Sequence, residues 1–179
     1  MSISWDVLEG GPSSPQAVIA RALAHLELFT GHEGWRIEAT GKVDGQLWTW
    51  SGVDPGSSPT PVIDWVVEVT AELDGHAGHV RMSSSQELED DGSPVEGHAS
   101  FEALSHRTQT SAVLGLAAGL AAYVLSGGEV SGPGFDRWQK PEEVDEVIER
   151  FVRAGAGHAR SEDAILALGE QVGVPNLEL

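Results

Sequence analysis

Two Asp-Gly dipeptides, Asp44-Gly45 and Asp74-Gly75, each stand between runs in which apolar and polar residues alternate. No other local signal restricts the chain as strongly. A two-residue hairpin loop of type I′ needs φ > 0 at both central residues, which Asp and Gly accept and bulkier residues resist. A turn at Asp44-Gly45 sets Val43 opposite Gln46, Gly41 opposite Trp48, Ala39 opposite Trp50 and Ile37 opposite Gly52. One face then collects Trp35, Ile37, Ala39, Val43, Trp48 and Trp50. The other collects Arg36, Glu38, Thr40, Lys42, Thr49 and Ser51. The turn rule does not contain that segregation, so the segregation is independent support for the register. At the second site Ile63, Trp65, Val67, Val69 and Ala71 alternate with Asp64, Glu68, Thr70 and Glu72. A turn at Asp74-Gly75 places Val69 against Val80, Val67 against Met82 and Glu68 against Arg81. A longer loop through His76-Ala77 keeps the strands and changes the pairing. The expectation is a four-stranded antiparallel meander with its tryptophans on one face.

Helical signals flank this region. Ser14-Pro15 reads as N-cap and first-turn proline, and Gly31 as the residue after the C-cap. Between them Ile19, Ala22, Leu23, Leu26 and Phe29 fall at helical spacing. Ahead of this helix, Ile3, Trp5 and Val7 alternate as in a short strand. Residues 54–61 form a loop of Pro, Gly and Ser. Residues 84–97 lose periodicity and gather Glu87, Glu89, Asp90, Asp91 and Glu96 without a base, so a mobile acidic loop is expected there. Residues 99–106 read as the possible start of a helix. Residues 111–125 are apolar all round, with many alanines, and a helix hydrophobic on every side is a buried one. Its Gly115 and Gly119 allow close approach, so it is expected to lie across the tryptophan face. A glycine-rich loop, 126–134, follows. Pro141 opens a helix with Val144, Val147, Ile148, Phe151 and Val152 inward. Ser161 caps a last helix carrying Ile165, Leu168 and Val172. The order is helix, four strands, then three or four helices, which makes a single α+β domain over residues 1–179.

The chain holds 28 acidic against 10 basic side chains, a formal net charge of −18 on 179 residues. Residues 1–80 carry eleven acids and three bases, and residues 81–179 carry seventeen and seven, so the excess is not a tail. Such a charge repels nucleic-acid phosphates and anionic lipid and attracts basic protein. Neither a nucleic-acid nor a membrane partner is expected. The chain has no cysteine. The opening MSISWDVLEGG has no basic n-region and no apolar h-region. The longest apolar run falls short of the about 20 residues that cross a bilayer. A cytoplasmic location is therefore expected.

Chemical motifs are weak. Asp74, His76 and His79 sit close together, yet a metal site needs several convergent ligands and a second shell. A polar hairpin turn accounts for them, and no metal or cofactor is expected. The 87–91 acids lack the alternating ligands and central glycine of a calcium loop. The GGEVSGPG segment at 127–134 follows a helix rather than a strand and lacks Gly-Lys-Ser/Thr, so it is no phosphate loop. No Gly-x-Ser-x-Gly elbow occurs. The six tryptophans read as core, or as a sheet face that receives a partner's apolar anchor.

Three functions fit. The first is a protein-binding protein that neutralises a basic partner, in the manner of an immunity protein or antitoxin. Its contact residues are expected to be Glu68, Glu72, Glu87, Glu89, Asp90 and Asp91, because acidic surfaces speed such encounters. The second is a secretion-type chaperone acting as a homodimer through a groove or sheet edge. The third is an enzyme or small-ligand protein with a pocket beneath the tryptophans. Catalytic residues are not identified.

Overall fold

The computed structural model describes residues 3–9, 13–51, 64–106, 108–135, 143–174 and 177–179. Its strands are β1 Ile3–Glu9, β2 Arg36–Val43, β3 Gln46–Trp50, β4 Asp64–Leu73, β5 His76–Leu88, β6 Pro94–Ser105 and β7 Gly128–Ser131. Its helices are α1 Pro15–Thr30, α2 Gln109–Ser126, α3 Val144–Gly155 and α4 Ser161–Val172. The strands form one antiparallel sheet in the order β3-β2-β4-β5-β6-β1-β7. The class is α+β, as the order of signals implied.

Both Asp-Gly turns form as expected. Asp44 and Gly45 have φ of 46° and 78°, and Asp74 and Gly75 have 52° and 88°. The registers Gly41↔Trp48, Ala39↔Trp50, Val69↔Val80, Val67↔Met82 and Glu68↔Arg81 follow from them. Ile37 has no described partner on β3, because Gly52 lies outside the described residues, as does the 54–61 loop. The meander itself needs correction. β4 pairs with β2, not with β3, so β3 is an outer strand and the order is not sequential. The short strand expected ahead of the first helix forms as β1 and belongs to the same sheet. β1 inserts between β6 and β7, where the alternation of Ile3, Trp5 and Val7 puts Trp5 and Val7 inward.

Three further stretches differ from expectation. Most of 84–97 is strand: β5 runs to Leu88, β6 starts at Pro94, and only a short turn separates them. Residues 99–105 belong to β6 rather than to a helix, and their real period is two: Phe101 and Ala103 are buried while Glu102 is exposed. The glycine-rich 126–134 stretch contains β7. The last helix does start near Ser161, but Arg160 takes the cap position and Ser161 donates instead to Asp74 Oδ2 at 2.8 Å. Pro141 lies outside the described residues.

The first helix carries the caps its sequence advertises. Ser14 Oγ accepts from the Ala17 amide at 3.3 Å, and Gly31, left-handed at φ 69°, donates its amide to Glu27 O at 2.9 Å. Helix α2 is buried over Gln109–Tyr123 and lies on β1, β5 and β6, with α1 and α4 packed against it. By length and composition it is apolar enough to span a bilayer, yet 83% of that span is inside the fold, as in a core helix. The reason it fits is volume. Trp5 is fully buried, and a Cβ added at Gly115 would stand 2.2 Å from its ring. Interiors fill to near-constant density, so a large indole demands a small residue opposite. Trp5 Nε1 donates to Pro133 O at 2.9 Å, which satisfies its one polar atom.

Candidate functional site

All helices that touch the sheet cover one face, and the alternation of each strand leaves the other to water. The covered rows run Trp48–Gly41–Val67–Met82–Ala103–Trp5 across six strands. The uncovered face carries Asp6, Glu38, Asp64, Glu68, Glu72, Glu102 and Glu129 against Arg36, Lys42 and Arg81. The acids are not evenly matched. Arg36 holds Glu72, and Arg81 stands 3.8 Å from Glu68 with both side chains more than half exposed. Asp6 and Glu102 face each other directly across β1 and β6, flanked by Ser131 and Ser83. Neither has an ion-pair partner among the described residues. Directly opposed side chains in an antiparallel pair sit about 5 Å apart at Cβ, so like charges there oppose folding. Partial burial pushes the Asp6 carboxyl up from its usual value.

The six expected contact residues fall into two groups. Glu68 and Glu72 lie on the open face of β4, each beside an arginine. Glu87 is at the exposed end of β5, 3.4 Å from His98 Nδ1. Glu89, Asp90 and Asp91 form the β5–β6 turn, which is closed by hydrogen bonds. Glu89 N donates to Ser93 O at 2.7 Å, and Gly92 N to Glu89 O at 2.8 Å. Asp91 Oδ1 accepts from Ser93 Oγ at 2.5 Å and from Ser93 N at 2.9 Å, and these bonds hold its carboxyl below the usual range. The face and the turn are thus separate acidic surfaces, not one cluster.

Sequence reasoning missed Asp6, Glu38 and Glu102. Glu102 lies in a stretch whose sequence fits the start of a helix, although Phe101-Glu102-Ala103 alternates. It also missed Glu9, a buried carboxyl only 2% exposed at the inner end of β1. Ser13 Oγ donates to its Oε1 at 2.5 Å and Ser84 Oγ to its Oε2 at 2.8 Å. Ala99 stands between Glu9 and Gln86 in register, and its small side chain lets Glu9 lean across β6 to β5. Burial raises the Glu9 pKa, and the two hydroxyls lower it by less. Gln86 beside this cluster donates to Val95 O at 2.5 Å, while its Oε1 has no partner. Trp65 Nε1 donates to Ser13 O at 2.8 Å and ties the same corner to the helix start. The arrangement is a polar strut joining β1, β5 and the entry to α1. Glu9 has no ion-pair partner among the described residues.

The remaining candidates disperse. Asp74 turns to Ser161, while His79 Nδ1 is 3.0 Å from Thr70 Oγ1 and its ring meets His106 edge-on. Among the described residues no three His, Asp or Glu side chains converge as a metal site. A concavity of about 380 Å³ at the open face is lined by Glu38, Ala39, Thr40, Thr49, Trp50, Ser51, Glu68 and Thr70. Trp5 and Trp65 fill the covered face. Comparisons of the chain with protein-family models, with curated proteins and with solved structures found no match.

Proposed function

We propose that this is a protein-binding protein, acting in the cytoplasm, that captures a basic partner on the open face of its sheet and neutralises it. The observation that carries the reading is the in-register pair Asp6 and Glu102, two carboxylates facing each other without a base. A sheet gains nothing from such a pair, and local choices that oppose folding are kept where function needs them. A cation from a partner, set between the two, would turn repulsion into attraction. The net charge of −18 adds long-range steering. Glu68 and Glu72 extend the surface, and Glu87, Glu89, Asp90 and Asp91 form a second acidic prominence at its end.

The test is co-purification from the native organism at low and high salt, followed by association kinetics. At about 0.15 M salt the Debye length is about 8 Å, so steering fades as salt rises. The partner should be basic, and its association should slow with salt. Asp6→Asn with Glu102→Gln should slow association and also speed dissociation. Amides at Glu87, Glu89, Asp90 and Asp91 should act on association alone if the turn only steers. A partner whose binding ignores salt and both sets of carboxylates would overturn the reading in favour of a small-molecule ligand. A stable dimer of the pure protein in sedimentation would favour the chaperone reading instead.

A further inference from the structure

Strand β3 ends the sheet, and its outer side is unpaired among the described residues. In a two-residue hairpin the residues flanking the turn form a hydrogen-bonded pair, and bonded pairs then alternate along the ladder. Gln46, Trp48 and Trp50 therefore turn their backbone groups toward β2. The amides and carbonyls of Leu47 and Thr49 point outward. Natural edges are blunted by charge, proline or bulges. Gln46–Trp50 reads QLWTW and has no charge and no proline. Leu47 is 88% exposed, and Trp48 and Trp50 are half-buried on the other face. The opposite edge among the described residues, β7, is one residue shorter and bears Glu129.

We propose that the outer edge of β3 takes up an extended basic segment of the protein partner as an added strand. The segment's apolar side chains lie beside Trp48 and Trp50, and its basic side chains, on the other face, reach Glu38. This rests on the basic-partner reading and gives it a binding mode. Charge complementarity selects the occupant at the Glu38 end of the edge, away from Lys42, which stands opposite Leu47. The concavity holding Glu38 and Glu68 opens beside this edge. Glu38 has no ion-pair partner among the described residues, and Glu68 meets Arg81 only at 3.8 Å. An added strand stands about 10 Å from β2, two strand spacings, which a lysine or arginine side chain spans together with a glutamate. A second copy of this chain is a poor occupant, because it brings the same negative charge to the same carboxylates.

The experiment uses the full chain and three capped peptides. One alternates lysine and valine, one has the same composition but a proline in place of its central valine, and one alternates glutamate and valine. Binding is followed by tryptophan fluorescence and by amide hydrogen exchange. With the lysine–valine peptide at about ten times its Kd, exchange at Leu47 and Thr49 should slow about tenfold. The glutamate peptide should not bind, and the proline peptide should bind at least about tenfold more weakly. Leu47→Pro, which removes an outward N–H and no bond to β2, should abolish binding. Leu47→Lys, at a site exposed enough to spare the fold, should weaken it, as should Glu38→Gln. Basic peptides that bind equally with and without proline, leaving Leu47 and Thr49 unprotected, would overturn this proposal while the open-face reading stands. Failure of the lysine–valine peptide to bind overturns it too. Protection at Leu47 and Thr49 in a peptide-free dimer would give the edge to a second copy.

Discussion

The two faces of the sheet are built from the same strands and obey the same alternation, yet different forces decide them. On the covered face the question is volume. Trp5 lies in a socket of glycine, and a Cβ added at Gly119 would stand 3.0 Å from the Trp5 Cβ. On the open face the question is charge, and space is free. A substitution that is ruinous on one side should therefore pass almost unnoticed on the other.

The largest expected effect tests the covered face. A side chain at Gly115 would have to enter the Trp5 ring, and overpacking of this kind costs typically about 1–3 kcal/mol and sometimes more. Gly115→Leu should sit at or beyond the upper end of that range. Leu120→Ala, which opens a cavity at a fully buried site, should cost about 2–5 kcal/mol. Urea midpoints measure both. Ser100→Leu on the open face provides the contrast and should change stability by less than about 0.5 kcal/mol. Equal midpoints for Gly115→Leu and the wild type would end the claim that volume sets the covered side.

That face was largely legible from sequence, and its legibility was local. The Asp-Gly turns fix φ at two residues, and the alternation beside them then fixes the register and which tryptophans share a face. What was not legible was which strands become neighbours. β4 beside β2 satisfies the same alternation as β4 beside β3, so no pattern within either strand distinguishes them. β6 failed for another reason: its alanines and the run Phe101-Glu102-Ala103-Leu104 are compatible with either period over so short a span. The acids of the face were therefore found only in part. Glu68 and Glu72 came from a recognised strand, whereas Glu102 came from one that had been read as helix.

The covered side holds two titratable exceptions, and they should respond to pH in opposite directions. His25 is buried between α1 and α2, stacked on Phe29, with Nδ1 donating to Ala117 O at 3.3 Å. Burial lowers its pKa; the bond to Ala117 raises it and Arg21 lowers it, each by less. Below about pH 6.5 the unfolded chain takes up a proton that the folded chain refuses, so this contribution is lost as pH falls. Glu9 is the reverse. Its pKa is raised, so above the ordinary glutamate value of 4.5 the unfolded chain releases a proton that the folded chain keeps. Its contribution is lost as pH rises from there to its folded pKa. Melting temperatures of wild type, His25→Met and Glu9→Gln across pH 4 to 8 check both. Glu9→Gln should gain on the wild type as pH rises, and His25→Met should gain as pH falls. A constant offset for Glu9→Gln would mean that its carboxyl is not strained by burial.

Asp6 and Glu102 face each other on the open side, and like charges so placed oppose folding by roughly 0.2–1 kcal/mol. Asp6→Asn with Glu102→Gln should therefore leave stability unchanged or slightly higher. The gain should be larger at low salt and vanish near 1 M, where the Debye length is about 3 Å. The sign matters more than the size. If the two carboxylates are kept for a partner, their removal weakens binding while it helps the fold. A loss of more than about 1 kcal/mol in the free protein would mean that they hold the sheet together, and the open face would then be structural, like the covered one. A gain, with salt sensitivity and loss of the basic partner in the same variant, separates the two faces by function as well as by the force that built them.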